Sequence, residues 1–115
     1  MCYHLGCVVV KEYLAVDGSS PYREWFDELN AEAAAKVTVA VTRIAQGNLS
    51  KVKSVGAGVH ECTINFGPGY RVYLGRDGPE LIILLGGGEK HGQQSDINWA
   101  HDLWVDYKKR KKKEK

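Results

Sequence analysis

Residues 59–85, VHECTINFGPGYRVYLGRDGPELIILL, set the architecture of the chain. Val59 to Phe66 alternates apolar and polar positions, Gly67-Pro68-Gly69 has turn chemistry, and Tyr70 to Leu74 alternates again. Asp77-Gly78 makes a second turn before a continuous apolar run, Leu81 to Leu85. Period-two alternation sends successive side chains to opposite faces of a sheet, and Gly/Pro-rich breaks between such runs are hairpin turns. The pattern predicts a meander of three strands, the last buried on both faces and broken by Gly86-Gly87-Gly88.

A three-residue loop pairs Phe66 with Tyr70 and fixes the two faces of the first hairpin. Cys62, Ile64, Phe66, Val72 and Leu74 share an apolar face. Glu61, Thr63, Asn65, Arg71 and Tyr73 share the other, with Arg71 opposite Asn65 and Tyr73 opposite Thr63.

Upstream, Cys7 to Val16 is rich in β-branched and aromatic residues and closes on Asp17-Gly18, which reads as a first strand. Ser20 and Pro21 suit the N-cap and first position of a helix whose apolar face is Tyr22, Trp25, Phe26 and Leu29. Asn30 caps a second helix from Ala31 to about Gln46, with the stripe Ala34, Val37, Val41, Ile44 and a stop at Gly47. Downstream, a helix from about Ser95 carries Ile97, Ala100, Leu103, Trp104 and Tyr107 on one side. Trp25, Phe26, Trp99 and Trp104 stand at helical spacings and read as packing residues. The fold class is α+β: a mostly antiparallel sheet packed on a helical hairpin, with a C-terminal helix.

The 115 residues form one domain over 1–107 and a basic tail over 108–115. The tail holds seven of the sixteen Lys and Arg residues and one acid; the rest carries nine cations against thirteen acids, a net of −4. Binding to nucleic acid therefore requires the tail or a local cation cluster, not overall charge. No apolar run spans a bilayer, and the segment from Leu5 to Val10 lacks the flanks of a signal peptide, so the expectation is a cytoplasmic protein without membrane contact. Cys2, Cys7 and Cys62 have no metal-ligand spacing and read as reduced packing residues.

Arg71 and Tyr73 on rigid strands, beside Glu89-Lys90-His91 and the pair Lys51 and Lys53, could form a groove for a phosphodiester backbone. The bland alternative for the same residues is a solvated sheet face with loop lysines.

Four segments carry a resemblance: Ser20-Pro21-Tyr22-Arg23-Glu24-Trp25, Lys53 to Glu61 (KSVGAGVHE), Phe66-Gly67-Pro68-Gly69-Tyr70-Arg71-Val72-Tyr73, and Gly87-Gly88-Glu89-Lys90. Together, spanning about Val9 to Lys109, they resemble the HigB-related "addiction module killer" branch of the RelE/ParE toxins of type II toxin–antitoxin systems. The resemblance implies a β-α-α-β-β-β core and, for the RNA-cleaving members, metal-independent and cofactor-free cleavage of mRNA in the ribosomal A site. By that resemblance Arg71 stabilises the phosphorane, and Lys53 and Lys90 hold the scissile phosphate or its flanks. From side-chain chemistry rather than the resemblance, His91 is a candidate proton-transfer group, an exposed loop histidine being the alternative, and Lys51, Arg76 and Tyr73 are candidate RNA contacts. The implied partners are a helix-turn-helix antitoxin, mRNA with ribosomal RNA around it, and operator DNA reached only through the antitoxin.

One position departs from the family pattern. Glu61-Cys62-Thr63 stands where the family shows Glu-Leu-Arg, so the arginine expected at position 63 is missing. His60 points to the other face and is a poor replacement. Two further functions stay open: a ParE-like inhibitor of DNA gyrase, which needs no catalytic residues, and a degenerate toxin acting only through antitoxin binding.

Overall fold

The computed structural model describes residues 8–113. Its elements are β1 (Val9–Glu12), α1 (Pro21–Asp27), α2 (Ala31–Ala45), β2 (Val52–Gly56), β3 (Val59–Ile64), β4 (Tyr70–Arg76), β5 (Leu81–Glu89) and α3 (Gln93–Lys113). The expected start of the first strand at Cys7, and the packing roles given to Cys2 and Cys7, lie outside the described residues. One mixed sheet has the order β1-β5-β4-β3-β2, with β1 parallel to β5 and every other pair antiparallel.

The helix entries follow from their caps. Ser20 Oγ accepts from the Arg23 amide at 3.0 Å, and Pro21 takes a position where its missing amide loses nothing. Asn30 Oδ1 accepts from the Ala33 amide at 2.8 Å, and Gly47, at φ 87°, supplies the left-handed residue beyond α2. The buried stripe of α2 is Ala33, Val37 and Ile44, so the helix is rotated slightly from the expected Ala34 setting.

Each sheet face has its own core. On one, Cys62, Ile64, Val72, Leu74, Ile82 and Leu84 meet Tyr22 of α1 and Ala33, Val37 and Ile44 of α2. On the other, Val59, Tyr73, Ile83 and Leu85 meet Ile97, Ala100 and Trp104 of α3. Full burial of each large aliphatic side chain contributes about 2 kcal/mol. β5 thus has both faces covered, as its unbroken apolar run implied. Cys62 is a buried free thiol.

Four features correct the sequence reading. The meander has an additional strand: Lys53 stands on β2, paired with β3, not in a loop. β2 escapes notice because Val52 and Val55 pack on opposite cores and a bulge between Ser54 and Gly56 breaks the period. The β3–β4 hairpin pairs Ile64 with Tyr70 and Thr63 with Arg71, a register two residues from the expected one. Phe66 leaves the ladder, and its amide and the Gly69 amide close a longer loop. A two-residue slip preserves the faces, which is why the face assignments hold.

The third correction concerns Gly86-Gly87-Gly88, which lie inside β5 rather than ending it. A Cβ on Gly86 would come within 2.5 Å of the Trp99 ring, on Gly87 within 2.3 Å of the Trp25 ring, and on Gly88 within 2.1 Å of Asp96 Oδ2. These glycines let two tryptophans and a carboxylate reach the strand backbone. Trp104 uses the same device against Gly58 and Gly75. The fourth correction is that α3 runs past the expected boundary at 107 to Lys113. Arg110 bonds Asp106 and the Leu14 carbonyl, and Lys111 pairs with Asp77 at 2.5 Å.

Candidate functional site

The face of the sheet turned toward α3 holds a polar cluster at the end away from Trp104. Lys53 of β2 pairs in register with Glu61 of β3, and Thr63 of β3 with Arg71 of β4. Three neighbouring strands thereby bring Lys53 and Arg71 to one carboxylate. Lys53 Nζ lies 3.4 Å from Glu61 Oε2, Arg71 Nε lies 3.4 Å from Glu61 Oε1, and Gln93 Nε2 of α3 donates to Oε1 at 2.9 Å.

Exposure differs sharply within the cluster. The Glu61 side chain is 0% exposed, that of Arg71 12%, and that of Lys53 69%. Arg71 Nε is enclosed without a formed hydrogen bond, whereas its terminal nitrogens are not among the enclosed unbonded atoms. The guanidinium thus directs one edge at Glu61 and keeps its terminal amino groups for another acceptor. A guanidinium held this way presents a fixed charge with a fork geometry suited to phosphate oxygens.

Tyr73 and Asp96 complete the floor. Tyr73, expected to contact RNA, has no exposed surface and packs beneath α3, where its hydroxyl has no hydrogen-bond partner. Burial pushes that hydroxyl up to about 12, with the charges of Asp96 and Glu61 adding and Arg71 opposing. Asp96 sits against Gly88, and burial pushes its carboxyl above the usual range.

The other expected site residues fall in three places. Lys90 is close to the cluster: its amide donates to the Gly69 carbonyl at 3.0 Å, and Gly88, two residues before it, pairs with Arg71. His91 follows, its side chain 84% exposed and 3.7 Å from Glu89. Lys51 turns the other way and lines a cavity beside α2, and Arg76 stands at the far end of β4 next to Trp104 and Lys108. Lys51 and Arg76 are therefore not brought to the Arg71 cluster. His60, half-buried with its pKa lowered by burial and by Arg76, also stands apart.

Sequence reasoning missed Glu61, Gln93 and Asp96 as site residues. Glu61 was legible in principle, as the one acid sharing a strand face with Arg71. Gln93 and Asp96 depend on how the first turn of α3 docks, which no local pattern encodes. Among the described residues no group of three His, Cys, Asp or Glu side chains could hold a metal, and no helix is long and apolar enough to cross a membrane.

A scan against protein-family models finds no match. The chain is 41% identical over 80 residues to an "Uncharacterized protein" of Haemophilus influenzae, a region covering 69% of this chain and 81% of the other. At that identity and coverage, the chain belongs to the same family as this Haemophilus influenzae protein.

Proposed function

We propose that the protein is the toxin of a type II toxin–antitoxin pair, with a RelE-like fold, and that it cleaves mRNA on the ribosome in the cytoplasm without a metal. The observation that carries this reading is the convergence of Lys53 and Arg71, from the two strands that flank β3, on one enclosed carboxylate, with the Lys90 backbone bonded to the turn just before β4. The ordered motifs around Gly67-Pro68-Gly69-Tyr70-Arg71 support it.

In the proposed reaction the ribose 2′-oxygen attacks the adjacent phosphorus as the bond to the 5′-oxygen breaks. One fragment is left with a 2′,3′-cyclic phosphate and the other with a 5′-hydroxyl. A proton leaves the 2′-hydroxyl and one reaches the departing oxygen. The terminal nitrogens of Arg71 meet the extra negative charge of the phosphorane, while Lys53 and Lys90 hold phosphate oxygens on either side. Glu61 is enclosed, so it does not meet substrate; it is a positioning residue that aims Arg71 and restrains Lys53. His91 is exposed beside Lys90 and serves as the proton-transfer group.

Induction in bacteria followed by primer extension on a reporter mRNA tests the reading. Cuts in phase with codons are expected, and Arg71→Lys should remove most of them while keeping a cation opposite Glu61. Unchanged cleavage by that variant overturns the role of Arg71. DNA damage without cuts would support a gyrase inhibitor instead. That second reading is favoured by one observation: Thr63 stands directly opposite Arg71, where the family's arginine would supply a second cation.

A further inference from the structure

A second cationic cluster lies on the other side of the sheet. A cavity of about 330 Å³ between α2 and the β2–β3 edge is lined by Lys36 and Arg43 of α2, by Asn48, Ser50 and Lys51 of the α2–β2 connection, and by Phe66. No Asp or Glu lines it. Among the described residues, ion pairs engage Arg23, Lys53, Arg71, Arg110 and Lys111, but none engages Lys36, Arg43 or Lys51.

Residues 1–107 carry a net charge of −4, so three cations without an ion pair around one concavity stand out against an acidic body, Lys36 with its Nζ over the Phe66 ring at 5.6 Å. Like charges gathered in a concavity repel one another and raise the local concentration of external anions. The neutral lining adds hydrogen-bonding side chains, Asn48 and Ser50, suited to phosphate and ribose oxygens. The cavity lies near the first site along the chain. β2 is an edge strand, Lys53 stands within it and Lys51 just before it, about 7 Å away along the chain. A single strand held at Lys53 need only round the open sheet edge to bring a neighbouring phosphate to Lys51.

We propose that this cavity is a second phosphate-binding subsite, which takes the backbone of single-stranded RNA flanking the phosphate held at Arg71. The inference rests on the RNA-cleaving reading for its ligand, but the cavity binds whether or not the strand is cut.

The test is a fluorescence anisotropy titration, against salt, of a short labelled 2′-O-methyl oligoribonucleotide, which lacks the attacking hydroxyl and stays intact. The full chain is compared with a Lys36→Ala/Arg43→Ala double variant, both positions being exposed on α2. The double variant should bind at least tenfold more weakly at about 0.1 M salt, with a salt slope about 1.4 shallower for two lost phosphate contacts. Equal affinity and slope, no binding by the unaltered chain, or tighter binding of an acidic peptide of equal charge would each overturn the subsite. Weakened binding by the double variant with no cleavage in cells would uphold the subsite and remove the nuclease reading. Cleavage with unaltered binding would do the reverse.

Discussion

Arg71 Nε lies 3.4 Å from a Glu61 carboxylate that has no exposed surface, while Lys53, at the same distance from the other oxygen, is mostly in water. Removing one partner of an enclosed pair strands the other charge, which costs about 3–5 kcal/mol; an exposed pair is worth at most about 1 kcal/mol. Arg71→Ala should therefore lower the unfolding free energy by about 3 kcal/mol and Lys53→Ala by less than about 1 kcal/mol. Adding Glu61→Gln to Arg71→Ala should restore part of the loss, because the enclosed carboxylate, left with only the solvent-facing Lys53 as counter-ion, is then replaced by a neutral amide. Urea denaturation of the four proteins measures this, and equal losses for the two single variants would refute it.

Gly87 and Gly86 separate two kinds of close packing. A Cβ at Gly87 would come within 2.3 Å of the Trp25 ring, which packs on the α1/α2 core; one at Gly86 would meet Trp99, which is 37% exposed. Trp99 has room to swing outward and Trp25 has less. Gly87→Ala should cost about 2–3 kcal/mol, and Gly86→Ala about 1 kcal/mol. Thermal unfolding of both variants decides the order.

Much of this packing was legible in the sequence, and the reasons for the rest are particular. The caps at Ser20 and Asn30 are local, since each side chain bonds an amide three residues on, and both helix starts follow from them. The two faces of β3 and β4 followed from alternation, which survives a two-residue error in register. The glycine run misled because a break and a tryptophan-receiving strand have the same composition; only the positions of Trp25 and Trp99 in space tell them apart. In the candidate site, Arg71, Lys53 and Lys90 stand in the motifs that carry the resemblance. The burial of Tyr73 could not, because it depends on α3 covering a face that looks solvated in the sequence.

Three tyrosines should titrate late: Tyr13, pushed up by burial and by its hydrogen bond to Asp106, with Tyr22 and Tyr73. Burial pushes Tyr22 up to about 12 against the opposing charge of Arg23, and Tyr73 is pushed to about 12 as well. The ordinary value is near 10, so the native state holds these three protons more tightly than the unfolded chain does. Their contribution is complete below about pH 10 and is lost as pH rises toward about 12. Unfolding free energy measured from pH 8 upward should stay level with respect to these groups and then fall above about pH 10. Tyr73→Phe should make that fall shallower without destabilising the protein at neutral pH, because the hydroxyl it removes has no partner.

Under the proposed RNA-cleaving reading, Lys90 and Arg76 distinguish the Arg71 cluster from the C-terminal end of α3 as the place where the scissile phosphate would lie. Lys90 follows Gly88, the register partner of Arg71, and its amide bonds the turn at Gly69 just before β4. Arg76 stands five residues beyond Arg71, about 16 Å along the strand, beside a separate groove with Trp104, Tyr107 and Lys108. Both side chains are exposed, so alanine at either position should change stability by less than about 0.5 kcal/mol and leave activity as the readout. If the scissile phosphate lies at Arg71, Lys90→Ala should cut the cleavage rate about tenfold, the loss of about 1.4 kcal/mol of phosphate binding in the transition state. Arg76→Ala should stay within about threefold, since its charge acts there only through screened solvent. A loss at Arg76 as large as that at Lys90 would move the RNA to the α3 end, where Lys108, Lys111 and Lys112 line the groove, and would leave Arg71 with a structural role alone.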